Sequence, residues 1–311
     1  MTNYSKLYLA KPGKRIRLSK IDPANHEGLT HHGQAETRLK KLLGRIVELQ
    51  AMLYAEKKQS LLIVLQGLDA AGKDGVVRHV LTGLNPEGVK VAAFKQPTGE
   101  EQSHDFLWRV HPHAPARGEI AIFNRSHYED VLVARVHKLV PPKIWKPRYG
   151  MINDFERLLS LENETVILKF FLHISPNEQL ARFKVRLDEP DREWKISNSD
   201  YSERELWDAY TDAFEQAIQR TSTKEAPWFI IPSDHKWFRD FAISQIIVDT
   251  LEGMRLAAPK PEVDIRQIRS EFSKAERKLS KKDRISVAQK VVKKEKAIRK
   301  EPGISTWTKD S

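Results

Sequence analysis

Apolar positions in this chain follow two patterns that alternate along it. Predominantly apolar runs occupy Leu61 to Leu65, Val89 to Phe94, Ile120 to Phe123, Val166 to Ile174 and Trp228 to Ile231. Such runs suit strands buried on both faces, as in parallel sheets. Between them, apolar residues recur at three-to-four spacing. Residues 34–57 set Leu39, Leu42, Leu43, Ile46, Leu49 and Leu53 among Lys and Glu, which predicts an amphipathic helix. Further helices are predicted over 73–83, 101–110, 127–138, 150–160, 176–187, 203–221 and 236–256. Strands alternating with helices predict an α/β fold: a three-layer αβα architecture around a central parallel five-stranded sheet. Ser175-Pro176-Asn177-Glu178 and Ser202-Glu203-Arg204-Glu205 both carry helix-start chemistry, a Ser cap with Glu at or near the third position. They frame 175–221 as a helical insertion, joined internally by the charged linker 188–195.

Composition narrows the class. The chain has 311 residues, 40% of them hydrophobic, enough for a sizeable core and too many for a disordered chain. No run of ~18 apolar residues is present, so no transmembrane helix is expected. The first six residues, Met1 to Lys6, contain no apolar stretch of the secretory kind. Cysteine is absent, which excludes disulfides, Cys-ligated zinc and thiol nucleophiles. A cytoplasmic protein without a membrane partner is the expectation.

Net charge is +11, and it is uneven: residues 270–300 hold 12 Lys or Arg against four acids. A break at Pro259-Lys260-Pro261 precedes that stretch. The expected division is an N-terminal arm over 1–33, an α/β domain over 34–262 and a basic helical or disordered tail over 263–311. The tail reads either as a solvated, solubilising arm or as one that holds a polyanion. It lacks the aromatic–basic interleaving of a nucleic-acid binder.

The candidate chemistry begins where the first apolar run ends. Gly67-Leu68-Asp69-Ala70-Ala71-Gly72-Lys73-Asp74 matches G-x-x-x-x-G-K, after a buried strand and at the start of a helix. Its glycines let backbone N–H groups turn onto phosphate oxygens, the helix N-terminus adds its dipole, and Lys73 adds a mobile charge. Two departures are informative. The Ser or Thr that ordinarily follows the lysine is Asp74, and a second acid, Asp69, sits inside the loop. A carboxylate in a phosphate cradle repels its ligand unless a cation intervenes. Asp69 is therefore expected to ligate Mg²⁺ or to orient an attacking phosphate oxygen. Both departures argue against an ordinary ATPase or GTPase.

The strand at 119–123 ends in Asn124-Arg125 rather than in the metal-supporting Asp common to such ATPases. Glu129 and Asp130 are the candidates to supply the missing charge. Arg125, with Arg135 beyond it, offers positive charge to phosphates at the ligand edge of the sheet. Lys95 and Thr98 follow the second strand and lie on the same edge. Arg182 and Arg186, four apart on one helical face, suit phosphate oxygens on a segment that closes over substrate as a lid. The histidines show no metal-ligand spacing.

Together these landmarks resemble the family-2 polyphosphate kinases over residues 30–258. The matching segments are Gly67 to Asp74, Phe94-Lys95-Gln96-Pro97-Thr98, His104 to Arg109, Phe123 to Val131 and Arg182 to Lys195. The resemblance implies a P-loop kinase fold with a helical lid. It implies reversible, Mg²⁺- or Mn²⁺-dependent phosphoryl transfer between inorganic polyphosphate and a nucleotide, with functional roles for Asp69, Lys73 and Arg125. Asn124 with Glu129 is similar to the third subgroup, whose members act on nucleoside mono- and diphosphates; AMP, ADP and ATP are then the nucleotide partners. A homo-oligomer, dimer or tetramer, is also implied. The alternatives are an ATP-dependent nucleoside monophosphate kinase and a nucleic-acid-binding P-loop protein.

Overall fold

The computed structural model describes residues 2–29, 35–190 and 198–279, together with 283, 285, 286, 289, 290, 292 and 293. The rest of the basic tail and residues 191–195 of the charged linker lie outside the described residues. The elements run α1 (Tyr4–Leu7), β1 (Leu9–Ala10), α2 (Glu36–Glu56), β2 (Ser60–Gln66), α3 (Lys73–Val80), β3 (Val89–Ala93) and α4 (Gly99–Ser103). Then come β4 (Ile120–Asn124), α5 (Val133–Val136), α6 (Pro142–Glu162), β5 (Thr165–His173), α7 (Pro176–Asp188) and α8 (Asn198–Glu205). The chain continues through α9 (Trp207–Thr221), β6 (Trp228–Pro232), α10 (Lys236–Gly253) and α11 (Ile265–Arg277). No described helix is long and apolar enough to cross a membrane.

All five apolar runs become strands, β2 to β6, paired in parallel in the order β6-β5-β2-β4-β3. The sheet nevertheless differs from the five-stranded parallel one expected. β1 adds antiparallel to β6, pairing Leu9 with Phe229 and Ala10 with Trp228, so the sheet is mixed and six-stranded. A two-residue strand has no periodicity to read. It forms because the open edge of β6 offers backbone groups that need partners.

β2 shows why such runs become central strands. All seven of its residues are buried, and its side chains alternate between two cores. Leu61, Ile63 and Leu65 join Leu53 of α2, Val76 of α3 and Ile246 of α10. Leu62 and Val64 join Ile152 of α6 and Phe214 of α9. Each such burial contributes roughly 1.5–3 kcal/mol. The stripe of α2 is covered within the chain, where Ile46, Leu49 and Leu53 share a core with α10. Residues 2–29 lie against both cores: Tyr4 and Tyr8 meet Phe238, and Leu18 enters the other layer.

Helix limits shift where local polar groups intervene. The helix expected over 101–110 stops at Ser103, and Asp105 accepts from the Leu107 N–H in a turn. The one expected over 127–138 splits into a 3₁₀ turn, His127–Asp130, and α5. α6 starts at Pro142 instead of 150, with proline in its first turn and Pro147 inside it. What matters for the site is that β2 and β4 end side by side, Leu65 opposite Asn124. The loops leaving both strands meet at the carboxyl edge of the sheet, where ligands of such folds bind.

Candidate active site

The loop from Gly67 to Gly72 connects β2 to α3. Gly67 takes φ 155° and Gly72 takes φ 106°, and both positions are also crowded. A Cβ on Gly67 would stand 2.9 Å from the Leu172 carbonyl oxygen, and one on Gly72 1.9 Å from Arg239 Nη1. Ala70 is left-handed too, at φ 60°, a conformation that costs a non-glycine residue on the order of 1–3 kcal/mol.

α7 holds this loop from outside. Gln179 Nε2 donates to the Asp69 carbonyl at 2.9 Å, and Arg182 Nη1 donates to the carbonyls of Ala70 at 2.8 Å and Ala71 at 3.1 Å. In a trans peptide the N–H points opposite to the C=O, so the amides of Ala70 and Gly72 turn away from α7. Both residues line the larger of the two cavities that meet at this edge of the sheet. Arg182 also donates through Nη2 to the Ser233 and Asp234 carbonyls, at 2.6 and 3.0 Å, and through Nε to Glu178 Oε1 at 2.7 Å. A guanidinium has five N–H donors, and five protein acceptors meet it here. Arg182, expected to hold phosphate, borders the cavity but is committed to shaping the loop.

The larger cavity has a volume of about 650 Å³, and eight of its lining residues are Lys or Arg against two acids, Asp69 and Asp74. Lys73, Lys95, Arg125 and Arg186 line it as the sequence suggested; Arg78, His79, Lys236 and Arg239 line it without having been singled out. Arg78 lies on α3 within reach of pattern reading. Arg239 is 166 positions beyond Lys73 and carries no local signal. A recess with this charge excess concentrates a polyanion. The second cavity, about 200 Å³, is lined by Gln66, Gly67, Leu68, Glu129, Trp207 and Tyr210 among others, and Asp69 and Arg125 belong to both cavities.

A cluster of charged and polar side chains lies at that junction. Arg125, left-handed at φ 62°, donates through Nη2 to Asp69 Oδ1 at 2.9 Å, and its Nη1 is 3.7 Å from Glu129 Oε2. Gln66 Nε2 donates to Glu129 Oε1 at 3.1 Å, and burial raises the Glu129 carboxyl above its ordinary pKa. Asn124 Nδ2 donates to Asp74 Oδ1 at 2.6 Å. Lys73 Nζ folds back onto the Gly67 and Leu68 carbonyls, at 2.6 and 3.1 Å. Burial, and next the charge on Arg125, push Lys73 down to about 8. Ala71 is fully buried and closes the turn through its N–H to the Leu68 carbonyl.

Three expected residues are not brought there. Thr98 caps α4: its Oγ1 accepts from the Glu101 N–H, and Glu101 accepts from the Thr98 N–H. Arg135 pairs with Asp212 and lies over the Trp145 ring, bordering neither cavity. Asp130, expected as a metal ligand beside Glu129, faces Arg148 at 3.3 Å and Arg109 at 3.9 Å. Successive residues of a tight turn point in different directions, so Glu129 reaches the junction and Asp130 does not.

A phosphate loop at the tip of the central strand, opening on a cationic recess, places the chain among the P-loop proteins. A family model described as Polyphosphate kinase 2 (PPK2) matches residues 30–259, and the chain belongs to that family. It is similar to an AMP/ADP-polyphosphate phosphotransferase of Meiothermus ruber, 48% identical over 258 residues, 83% of this chain and 96% of that protein. An ADP-polyphosphate phosphotransferase of Rhodopseudomonas palustris is 40% identical over 272 residues, 82% of this chain and 92% of its own. The fold is similar to the crystal structure of polyphosphate kinase 2 from Arthrobacter aurescens TC1, with TM-score 0.83 and 40% identity over 88% of this chain and 97% of that one.

Proposed function

We propose that this chain transfers the terminal phosphoryl group of inorganic polyphosphate to AMP and to ADP, reversibly, forming ADP and ATP. The observation that carries this reading is the union of two cavities at Asp69 and Arg125. The larger one has far more positive charge than a single nucleotide requires, and suits a phosphate chain. The smaller one adds Trp207 and Tyr210 to polar groups, and suits the nucleotide end. The Meiothermus relative is named for phosphotransfer between polyphosphate and both AMP and ADP, and the Rhodopseudomonas relative for ADP, which supports this reading.

A terminal phosphate oxygen of the nucleotide forms a bond to the terminal phosphorus of the chain. The bridging bond to the next phosphate breaks, and the shortened chain leaves with the bridging oxygen. The attacking oxygen is already anionic, so no strong base is needed, and catalysis is alignment plus neutralisation of charge. The Ala70 and Gly72 amides and Lys73 bind phosphate oxygens. Arg125 swings from Asp69 to the transferring group, where developing charge is greatest. Asn124 positions Asp74. Lys95 and Arg186 steady the chain, and segment 175–221 acts as the lid, with α7 on the larger cavity and α8 and α9 on the smaller.

A divalent ion fits the donor set. Asp69 and Glu129 flank one guanidinium, and a buried carboxylate such as Glu129 is stabilised by a cation. Among the described residues no three His, Asp or Glu side chains form a metal cage, and Mg²⁺ characteristically takes one or two carboxylates and completes its shell with water and phosphate oxygens. Bound by Asp69 and Glu129, Mg²⁺ or Mn²⁺ would supply charge neutralisation at the transferring phosphoryl group.

The test is incubation with AMP or ADP, Mg²⁺ and long-chain polyphosphate in the absence of ATP. Stepwise appearance of ADP and ATP is expected. Product that forms only with ATP as donor would replace this reading with a nucleoside monophosphate kinase.

A further inference from the structure

A cluster of buried charges lies beneath the turn that carries Glu129, and the phosphotransfer scheme makes no use of it. Lys169 interrupts the apolar run of β5 and is fully buried; Glu156, on the core face of α6, is 1% exposed. Lys169 Nζ donates to Glu156 Oε2 at 2.5 Å, to the Thr221 carbonyl at 2.7 Å and to the Tyr128 hydroxyl at 2.9 Å. All three of its protons are thereby satisfied. The other carboxylate oxygen, Glu156 Oε1, accepts from the Tyr128 hydroxyl at 2.9 Å and from His127 Nε2 at 3.2 Å. Burial works against charge on Glu156, but Lys169 and His127 hold its carboxyl below the ordinary range, so the acceptor is an anion. His127 and Tyr128 are themselves buried. Neither Glu156 nor Lys169 lines either cavity at the site.

A buried ion pair rarely stabilises a fold more than apolar side chains of the same size. What a fully satisfied polar cluster adds is a single orientation for the groups it joins. Here one oxygen, Glu156 Oε1, joins the first two residues of the 3₁₀ turn His127–Asp130 to α6. The same helix pins the end of the turn, since Arg148 Nη1 donates to the Asp130 carbonyl at 2.9 Å. Glu129 lies between these two points. The Tyr128 N–H also donates to Ser126 Oγ at 3.2 Å. That oxygen accepts at 3.0 Å from Gln66 Nε2, the group that holds Glu129 Oε1. We propose that Glu156, with Lys169 as its counter-ion, is a positioning residue: it fixes the turn so that the Glu129 carboxylate is presented at the junction of the two cavities. Its consequence for turnover rests on the phosphotransfer reading, whereas its hold on the turn rests on the geometry alone.

Two paired substitutions in the full chain separate the hydrogen bonds from the charges. Lys169→Met with Glu156→Gln removes both charges and keeps an acceptor oxygen for Tyr128 and His127. Lys169→Met with Glu156→Leu removes that acceptor as well. The amides of Glu129, Val131 and Leu132 bond to the Ser126 and Tyr128 carbonyls, and their hydrogen exchange reports on the turn without any substrate. In the Gln pair that exchange stays near native, and kcat for polyphosphate-dependent ATP formation is largely kept. In the Leu pair the amides exchange faster and kcat falls about 10–100-fold, the scale of losing an outer-shell partner of a metal ligand. The half-saturating Mg²⁺ concentration rises, and KM for polyphosphate does not move, because the larger cavity is untouched. A Leu pair with native exchange and native kcat overturns the proposal. So do two pairs that lose kcat equally, because the shared acceptor then plays no part. Should the Leu pair show no cooperative melt, Tyr128→Phe decides, since it removes one of the two bonds to Glu156 Oε1. Faster exchange and a lower kcat at unchanged KM support the proposal there, and native values overturn it. A native chain without polyphosphate-dependent product would sink the functional reading, while the exchange comparison would still test the hold on the turn.

Discussion

Arg125 Nη2 and Asp69 Oδ1 are 2.9 Å apart where the two cavities join. The pair holds the acid of the phosphate loop against the cation leaving β4, so each neutralises the other until phosphate arrives. Replacing the carboxylate alone tests this arrangement. Asp69→Asn keeps the shape of the side chain and is expected to lower turnover roughly 10²–10³-fold, the scale of losing one preorganised charge contact. The half-saturating Mg²⁺ concentration should rise, and the thermal midpoint should move little, because Asp69 and Arg125 are both partly exposed. Steady-state ATP formation against a melting curve reads all three. Native turnover would remove Asp69 from the mechanism.

Arg182 and Arg186 share a helix and are expected to differ in kind. Arg182→Lys keeps the charge and loses most of five hydrogen bonds, four of them to carbonyls of loops 70–71 and 233–234. A loss of about 2–3 kcal/mol is expected, with a lower kcat from the misplaced loop. Arg186→Ala should cost at most about 1 kcal/mol of stability, the scale of its contact over the Phe183 ring, and raise KM for polyphosphate. Urea titration with initial-rate kinetics separates the two; equal effects on stability would contradict the clamp.

Gly72→Ala should be among the most damaging single-methyl changes in the chain. The added carbon would lie 1.9 Å from Arg239 Nη1. Arg239 cannot yield freely, since its Nε and Nη2 hold Asp240 Oδ1 at 2.9 and 2.7 Å. Overpacking of about 1–3 kcal/mol adds to the strain of a left-handed alanine. Gly83→Ala is the comparison, because Gly83 is also left-handed, at φ 80°, but its nearest neighbour is 3.5 Å away. The difference in unfolding free energy between the two variants measures the clash.

The buried lysine predicts a pH limb. Lys73 titrates at about 8 in the folded protein, down from 10.5. Between those values the unfolded chain binds the extra proton, so stability rises with pH from about 8 to 10.5 and the penalty for burying the cation is full below about 8. Activity moves the other way, because phosphate binding uses the protonated amine. The kcat/KM for polyphosphate should fall about tenfold per pH unit above about 8. Lys73→Arg, always protonated, should abolish that limb at a lower plateau. A profile flat to pH 9.5 in the native chain would show that Lys73 does not act as a cation on free substrate.

Local pattern in the sequence determined the five parallel strands, the phosphate loop and the acid within it, because strand burial and turn chemistry are written in adjacent residues. The 34–57 stripe and the Ser175 cap were equally legible, since the helical period and capping operate within a turn or two. Tertiary structure alone decided which charges line the cavities. Arg182 and Arg186 look alike along a helix and both border the larger cavity, yet Arg182 meets five protein acceptors while Arg186 lies over the Phe183 ring. Glu129 and Asp130 are neighbours, yet the turn sends them to different partners. Arg239 and β1 reach the site and the sheet from far along the chain, where only packing, and the need of every buried polar group for a partner, brings them together.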